Sequence, residues 1–197
     1  PINHIIIAVP MERDTLWLEC TRSFNPIGYL GLFTESRYAV VVTPEGGKLV
    51  ETPKALPENH AKYQTVNVFL ESNGNAKVET QILGKGEVSD YFINISNIAT
   101  KEEQERFLRE KWITAPSFDL QNFAFETLPP SNPPQAVLTY ELEARNWSSL
   151  SGSRLFLKPN VLQDNLSLPK AVKNRTQPVI NYKPVMQLDT IIYHLHL

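Results

Sequence analysis

The chain is short of cysteine: its 197 residues contain one, Cys20. A single thiol excludes an internal disulfide framework and leaves the redox compartment open. Excess charge is lacking as well. The formal net charge is -2, with acidic and basic residues interspersed, so there is no basic footprint for nucleic acid. No apolar run approaches the roughly 18 residues of a membrane helix; the longest, "HIIIAV" and "TIIYHLHL", have strand length. No signal peptide is visible, and the chain starts at Pro1 with no Met. The chain stops at Leu197 inside an apolar run, and both ends read as cut, so the expectation is a fragment of a longer protein. Glycine is scarce, 8 against 15 prolines. With many β-branched residues, that balance favours strands joined by stiff connections. Hydrophobic residues make up 42%, enough to build a core in one large domain or two modest ones.

Strand and turn signals organise most of the chain. "HIIIAV" (4–9), "TLWLEC" (15–20), "YAVVVT" (38–43) and "KLVET" (48–52) read as strands, with "PEGG" (44–47) turning the last two and "NPIGYLG" (25–31) as a loop. A polar, proline-containing stretch, 52–60, marks a boundary between residues 1–55 and 58–197. "YQTVNVFLE" and "AKVETQIL" flank "SNGN" as a hairpin, with Val66, Val68 and Leu70 on its buried side. The period then changes. "TKEEQERFLREKW" (100–112) opens with Thr100 and Glu103 as a capping box, with acids in its first turn and bases in its last. "EVSDYFINIS" before it is a second, weaker helix signal. "LQNFAFET", "QAVLTYELEA", "SRLFLK" and "DTIIYHLHL" return to strands, interrupted by a stiff "LPPSNPP" connector and an irregular stretch over 159–178. The fold class is therefore mainly β, with one or two short helices.

The first two strands carry the sharpest constellation. Closing a hairpin over "MERD" pairs residues whose numbers sum to 25. Ile5, Ile7 and Val9 then share a face with Leu16, Leu18 and Cys20, and this wholly apolar face is expected to be core. His4, Ile6 and Ala8 share the other with Trp17, Glu19 and Thr21. His4 and Glu19 become diagonal neighbours, roughly 7–8 Å apart and within side-chain reach. Cys20 thus points away from the nearest base, and packing is the expected role of this thiol. The His4–Glu19 pair has two readings. One is a surface cross-strand ion pair. The other is the orienting half of a nucleophile–base–acid triad, in which a carboxylate fixes the tautomer of an imidazole.

The stretch "NHIIIAV … DTLWLECT … NPIGYLG" resembles the C-terminal half of a transglutaminase-like (papain-like) core. In that family a catalytic histidine starts one strand, and a Trp-x-Asp-x-Thr pattern lies on the next. His4 falls on the histidine, Trp17 and Thr21 on the Trp and Thr, and Glu19 on the Asp position. The family's nucleophilic cysteine opens a helix well upstream of its histidine, and this chain has no such segment. Glu19 is also one methylene longer than Asp. The resemblance implies that residues 1–55 are the trailing antiparallel strands of such a core, and that 58–197 form a β-sandwich (jelly-roll-like) module. It implies a cysteine acyl-transfer activity in the whole protein, of peptidase, amidase or transglutaminase type, with His4 and Glu19 catalytic and Trp17 lining the site. The chain alone would be inactive. Its partners would be the rest of the core upstream and a protein or peptide substrate. No cofactor or metal is implied, nor any nucleic acid or membrane span, and the location would be extracytoplasmic, in the periplasm or cell envelope. The alternative is a non-catalytic envelope module that binds protein or glycan, attached to a degenerate core.

Other features have weaker claims. His194 and His196 share a strand face as some metal ligands do, but no third ligand is tied to them by spacing. Half-exposed strand positions are the simpler account. His60 is expected to be solvated in the linker. Trp112 fits a helix's apolar stripe with Phe107 and Leu108. Trp147, in a Ser-rich turn, is a candidate glycan-stacking ring. Asn-x-Ser/Thr at Asn94, Asn146, Asn165 and Asn174 is close to what chance supplies in a chain of this composition.

Overall fold

The computed structural model describes residues 4–115, 117–160, 162, 173–176 and 184–195. Two ribbons come first, β1 (Ile7–Pro10) with β2 (Thr15–Leu18), and β3 (Tyr38–Thr43) with β4 (Gly46–Glu51). A long hairpin follows, β5 (Ala61–Leu70) and β6 (Ala76–Lys85), then helices α1 (Glu87–Ile98) and α2 (Lys101–Phe107), the latter running into a π-helical turn at Leu108–Trp112. The remaining strands are β7 (Phe118–Thr127), β8 (Gln135–Ala144), the short pair β9 (Ser148–Ser151) and β10 (Arg154–Leu157), and β11 (Met186–Leu195). The protein is mainly β. Its centre is a five-stranded sheet in the order β11-β5-β6-β8-β7. The β5, β6, β8 and β7 neighbours are antiparallel, and β11 joins the edge of β5 in parallel.

The two-residue period of the strands sorts this sheet into unlike faces. Val66, Val68 and Leu70 of β5 lie on the same side as Val78 and Ile82 of β6 and Leu138 and Leu142 of β8, all buried. A bulge between Leu120 and Asn122 shifts β7, so that Phe123 and Phe125 join that side. Val88, Phe92 and Ile93 of α1 and Leu108 cover it. Phe92 is fully enclosed, with Trp112 edge-on to its ring at 5.0 Å; burying such a side chain contributes about 2–3 kcal/mol. Gly84 allows this closeness, since a Cβ there would stand 2.9 Å from the Val88 side chain.

The second layer of the expected β-sandwich is thus built largely from helices. Its strand component is the β9–β10 ribbon, whose Leu155 and Leu157 belong to the same core as buried Trp147 and as Ile191 and Tyr193 of β11. The helical share was signalled in "EVSDYFINIS", whose Val88, Phe92 and Ile93 fall on one helical stripe. The capping box of α2 forms as its residues dictate. The Thr100 hydroxyl accepts from the Glu103 amide, and the Thr100 amide donates to the Glu103 carboxylate at 2.9 Å. No described helix is long and apolar enough to cross a membrane.

The stretch between the ribbons and the sheet is not a solvated linker. His60, expected in solvent, has a side chain that is 0% exposed. Its Nε2 lies 2.7 Å from Glu35 Oε2, and its Nδ1 accepts from the Glu87 amide at 3.2 Å. Nδ1 as acceptor requires the proton on Nε2, so the ring donates to Glu35. The cause of burial is the start of α1. Its N-cap is Gly86, which has no side chain to hold the first amides, and the His60 ring supplies that acceptor. Gly86 has φ of 55°, and a Cβ there would overlap the Asn59 carbonyl and the His60 ring. One turn along, the Tyr29 hydroxyl donates to Asp90 Oδ2 at 2.7 Å. Tyr29, Leu30 and Leu32 are buried, so loop 25–34 is anchored to the sheet module by both apolar packing and this polar joint.

Burial pushes the Asp90 carboxyl up to about 6, against the hydrogen bond from Tyr29, which acts in the opposite direction. Tyr29 is itself pushed up, first by burial and then by the Asp90 charge. A carboxyl raised on folding makes the native state hold a proton that the unfolded chain gives up. Its contribution is complete below about pH 4 and lost as pH rises to about 6. A carboxamide in place of this carboxyl would still accept from Tyr29 without a charge. The variant Asp90→Asn should therefore gain about 2–3 kcal/mol relative to wild type between pH 4 and pH 7, measured as the difference between urea unfolding curves at each pH. A difference that stays constant over that range would contradict the burial of this carboxyl.

Candidate functional site

The site begins with the register of the first ribbon. Ile7 pairs with Leu18, Ala8 with Trp17 and Val9 with Leu16, across a turn closed by the Met11 amide on the Asp14 carbonyl at 2.8 Å. Extending that ladder by alternation sets the side chain of His4, before β1, on the side of Glu19, just after β2. The two meet. His4 Nε2 is 2.5 Å from Glu19 Oε2. The other carboxylate oxygen, Oε1, accepts from the Thr21 hydroxyl at 2.7 Å and the Thr21 amide at 3.0 Å. Glu19 is thereby held through both oxygens, which answers the extra methylene: the longer side chain is fixed by Thr21 while it reaches the imidazole.

The pair is sheltered unequally, with side-chain exposures of 23% for His4 and 6% for Glu19. Burial acts to raise the Glu19 carboxyl, but the bonds from His4 and Thr21 outweigh it and hold the group below the usual carboxylate range. Near neutral pH Glu19 is an anion that accepts from His4 Nε2. The Nδ1 nitrogen of His4 is then the one that takes or gives a proton. The contribution of Glu19 to stability is present above its ordinary titration and is lost as pH falls through its lowered one.

The aromatic ring packed on His4 is that of Phe33, edge-on at 5.1 Å with an interplanar angle of 87°. Sequence reasoning missed it. Phe33 is itself exposed, and it reaches the imidazole because its neighbours Tyr29, Leu30 and Leu32 are anchored in the interior. No motif around it announces that placement. Trp17, expected to line the site, is half-buried opposite Ala8 in the ladder.

Cys20 is not packed: its side chain is exposed. The apolar face of this ribbon was expected to be core, yet Ile5 is 83% exposed and Ile7 is open too. The His4, Ile6 and Ala8 side is half-buried, as are Val9, Leu16 and Leu18 on the other, where Leu16 lies against Gly28. The β3–β4 ribbon repeats the pattern, exposing Tyr38, Val40 and Leu49, with Val42 87% exposed.

His194 is half-buried; its ring stacks on Phe69 at 4.4 Å and its Nε2 lies 3.1 Å from Asn67 Oδ1. His196 lies outside the described residues. Among the described residues no three His, Cys, Asp or Glu side chains converge as a metal site. No protein family model, curated protein sequence or solved structure matches the chain.

A histidine whose tautomer is fixed by a doubly held carboxylate is suited to general acid–base work. Alternation continued from β2 implies that Cys20 lies on the reverse side of the ribbon from that pair. Alkylation of Cys20 by iodoacetamide at pH 7 should therefore change by less than about twofold in His4→Ala, since the thiolate draws no support from the imidazole. A tenfold loss of rate would mean that sulfur and imidazole share a side.

Proposed function

We propose that this chain supplies the histidine and acid of a transglutaminase-like cysteine acyl-transfer site, with the nucleophile carried by an upstream segment of the same protein. The observation that carries the reading is the 2.5 Å contact of His4 with a Glu19 carboxylate locked by Thr21. A surface ion pair accounts less well for an acid whose side chain is 6% exposed. The exposed apolar side chains of the two ribbons, Ile5, Ile7, Tyr38, Val42 and Leu49, add support as positions where further layers of a larger core would pack.

In this reading an upstream thiolate, paired with protonated His4, attacks the carbonyl carbon of an amide in a protein or peptide. The C–N bond breaks as His4 Nδ1 gives its proton to the leaving amine, and an acyl-thioester remains on the sulfur. His4 then takes a proton from the acceptor as it attacks the thioester. Water as acceptor gives a peptidase or amidase, and an amine gives a transglutaminase. Glu19 holds the ring and stabilises the imidazolium, while Phe33 limits its rotation. An extracytoplasmic location belongs to the same proposal and rests on the family resemblance alone.

The second reading, a non-catalytic envelope module that binds protein or glycan and is attached to a degenerate core, finds no stacking platform in two of the tryptophans. Trp147 is 4% exposed, and Trp112 packs on Phe92 and Phe107.

The test uses the protein with its upstream segment. An iodoacetamide probe should label a cysteine outside this chain, and His4→Ala should slow that labelling at least about tenfold at pH 7, with Glu19→Ala intermediate. Labelling at an unchanged rate in His4→Ala, or of Cys20 alone, would remove the acyl-transfer reading.

A further inference from the structure

Helix α1 packs on one face of the five-stranded sheet, and on the other face Thr65 and Gln81 are exposed. Twist makes that face a trough of about 250 Å³ in mid-sheet. Two cross-strand rows run along its floor, and Thr80, Phe123 and Tyr140 also line it. One runs through Thr65, Gln81 and Thr139, and the next through Asn67, Glu79 and Glu141. Asn122 closes the second row on β7. At the β11 side the Phe69–His194 stack stands beside the trough, and the His194 Nε2–H donates to Asn67 Oδ1. That bond fixes the carboxamide and leaves its NH₂ as the donor to a ligand.

The chemistry of this floor narrows the occupant. Backbone groups in mid-sheet are consumed by the ladders, so a peptide could not add here as a strand; that mode needs an edge. Phe123 and Tyr140 line the trough but are themselves buried, so they open no apolar pocket for a side-chain anchor. The cation at the margin, Lys77, is already engaged by Glu79 at 2.8 Å and Glu141 at 3.7 Å, so phosphate and other anions gain nothing and meet two carboxylates. What remains is a dense set of neutral hydroxyls and carboxamides, with two acceptors for hydroxyl protons and an aromatic stack alongside. Paired hydroxyls of a sugar ring satisfy such planar donors and acceptors. We propose that the Thr65 and Gln81 face of the sheet is a binding site for a neutral saccharide chain, laid across β5, β6 and β8. The site is independent of the His4–Glu19 pair, and either reading can fail without the other.

The experiment is amide chemical-shift titration of the full chain with maltotriose, cellotriose and N-acetylglucosamine trimer, and with a sulfated trisaccharide as the anionic probe. At least one neutral probe should bind saturably, with a dissociation constant of about 1 mM, and move the amides of the two rows. Thr65→Arg occupies the trough from an exposed position without touching the core and should abolish those shifts. Gln81→Ala should weaken binding about three- to tenfold, the cost of lost neutral hydrogen bonds. Thermal melts of both variants check that the fold is kept. Absence of binding by all neutral probes, binding only of the sulfated one, shifts that map elsewhere, or binding that survives Thr65→Arg in a folded protein would each overturn the assignment.

Discussion

Strand alternation is the constraint on which the rest depends. Because side chains of successive strand residues take opposite sides, a ribbon's register decides which chemistry meets. At the ends of β1–β2 it joins the His4 imidazole to the Glu19 carboxylate. In the large sheet it sends Val66, Val68, Val78 and Leu138 inward and turns Thr65, Asn67, Glu79 and Thr139 outward. A slip of one residue in either place would exchange the two faces. The core would then be lost in the sheet, and the acid–base pair in the ribbon.

The polar joint ties these two regions together. Neither His60 nor Asp90 is placed by local sequence. His60 takes over the cap that Gly86 cannot provide, and Asp90 receives the hydroxyl of Tyr29 from a loop 61 residues earlier. The loop that Tyr29 anchors also carries Phe33 to the edge of His4. A half-buried acid and a buried imidazole at one helix start thus tie Tyr29 and Glu35 to the sheet module, and the loop they anchor also carries Phe33 to His4.

What the sequence made legible was local. The Thr100–Glu103 box, the "SNGN" turn and the four residues between the first strands each fix geometry within a few positions, and the observed 7–18 and 8–17 pairings follow from the last of these. The mainly β class follows from the same signals. Long-range placement was not legible. Nothing in "DTIIYHLHL" says that it lies parallel to β5, and "SSLS" (148–151) reads as a turn but pairs as a strand. His60 looked solvated because its partners, Glu35 and Glu87, are 25 and 27 residues away. Cys20 looked buried because its face is apolar, yet burial depends on what covers a face as well as on what the face is made of.

The functional account rests on one contact, that of His4 with Glu19, whose bonds from His4 and Thr21 hold the carboxyl below its ordinary range. Carbon-detected titration of the labelled Glu19 carboxyl reads it directly, in wild type and in His4→Ala. The account predicts a midpoint below 4.5 in wild type and a rise when the imidazole is removed. A wild-type midpoint at or above that value, or one that His4→Ala leaves in place, would contradict it.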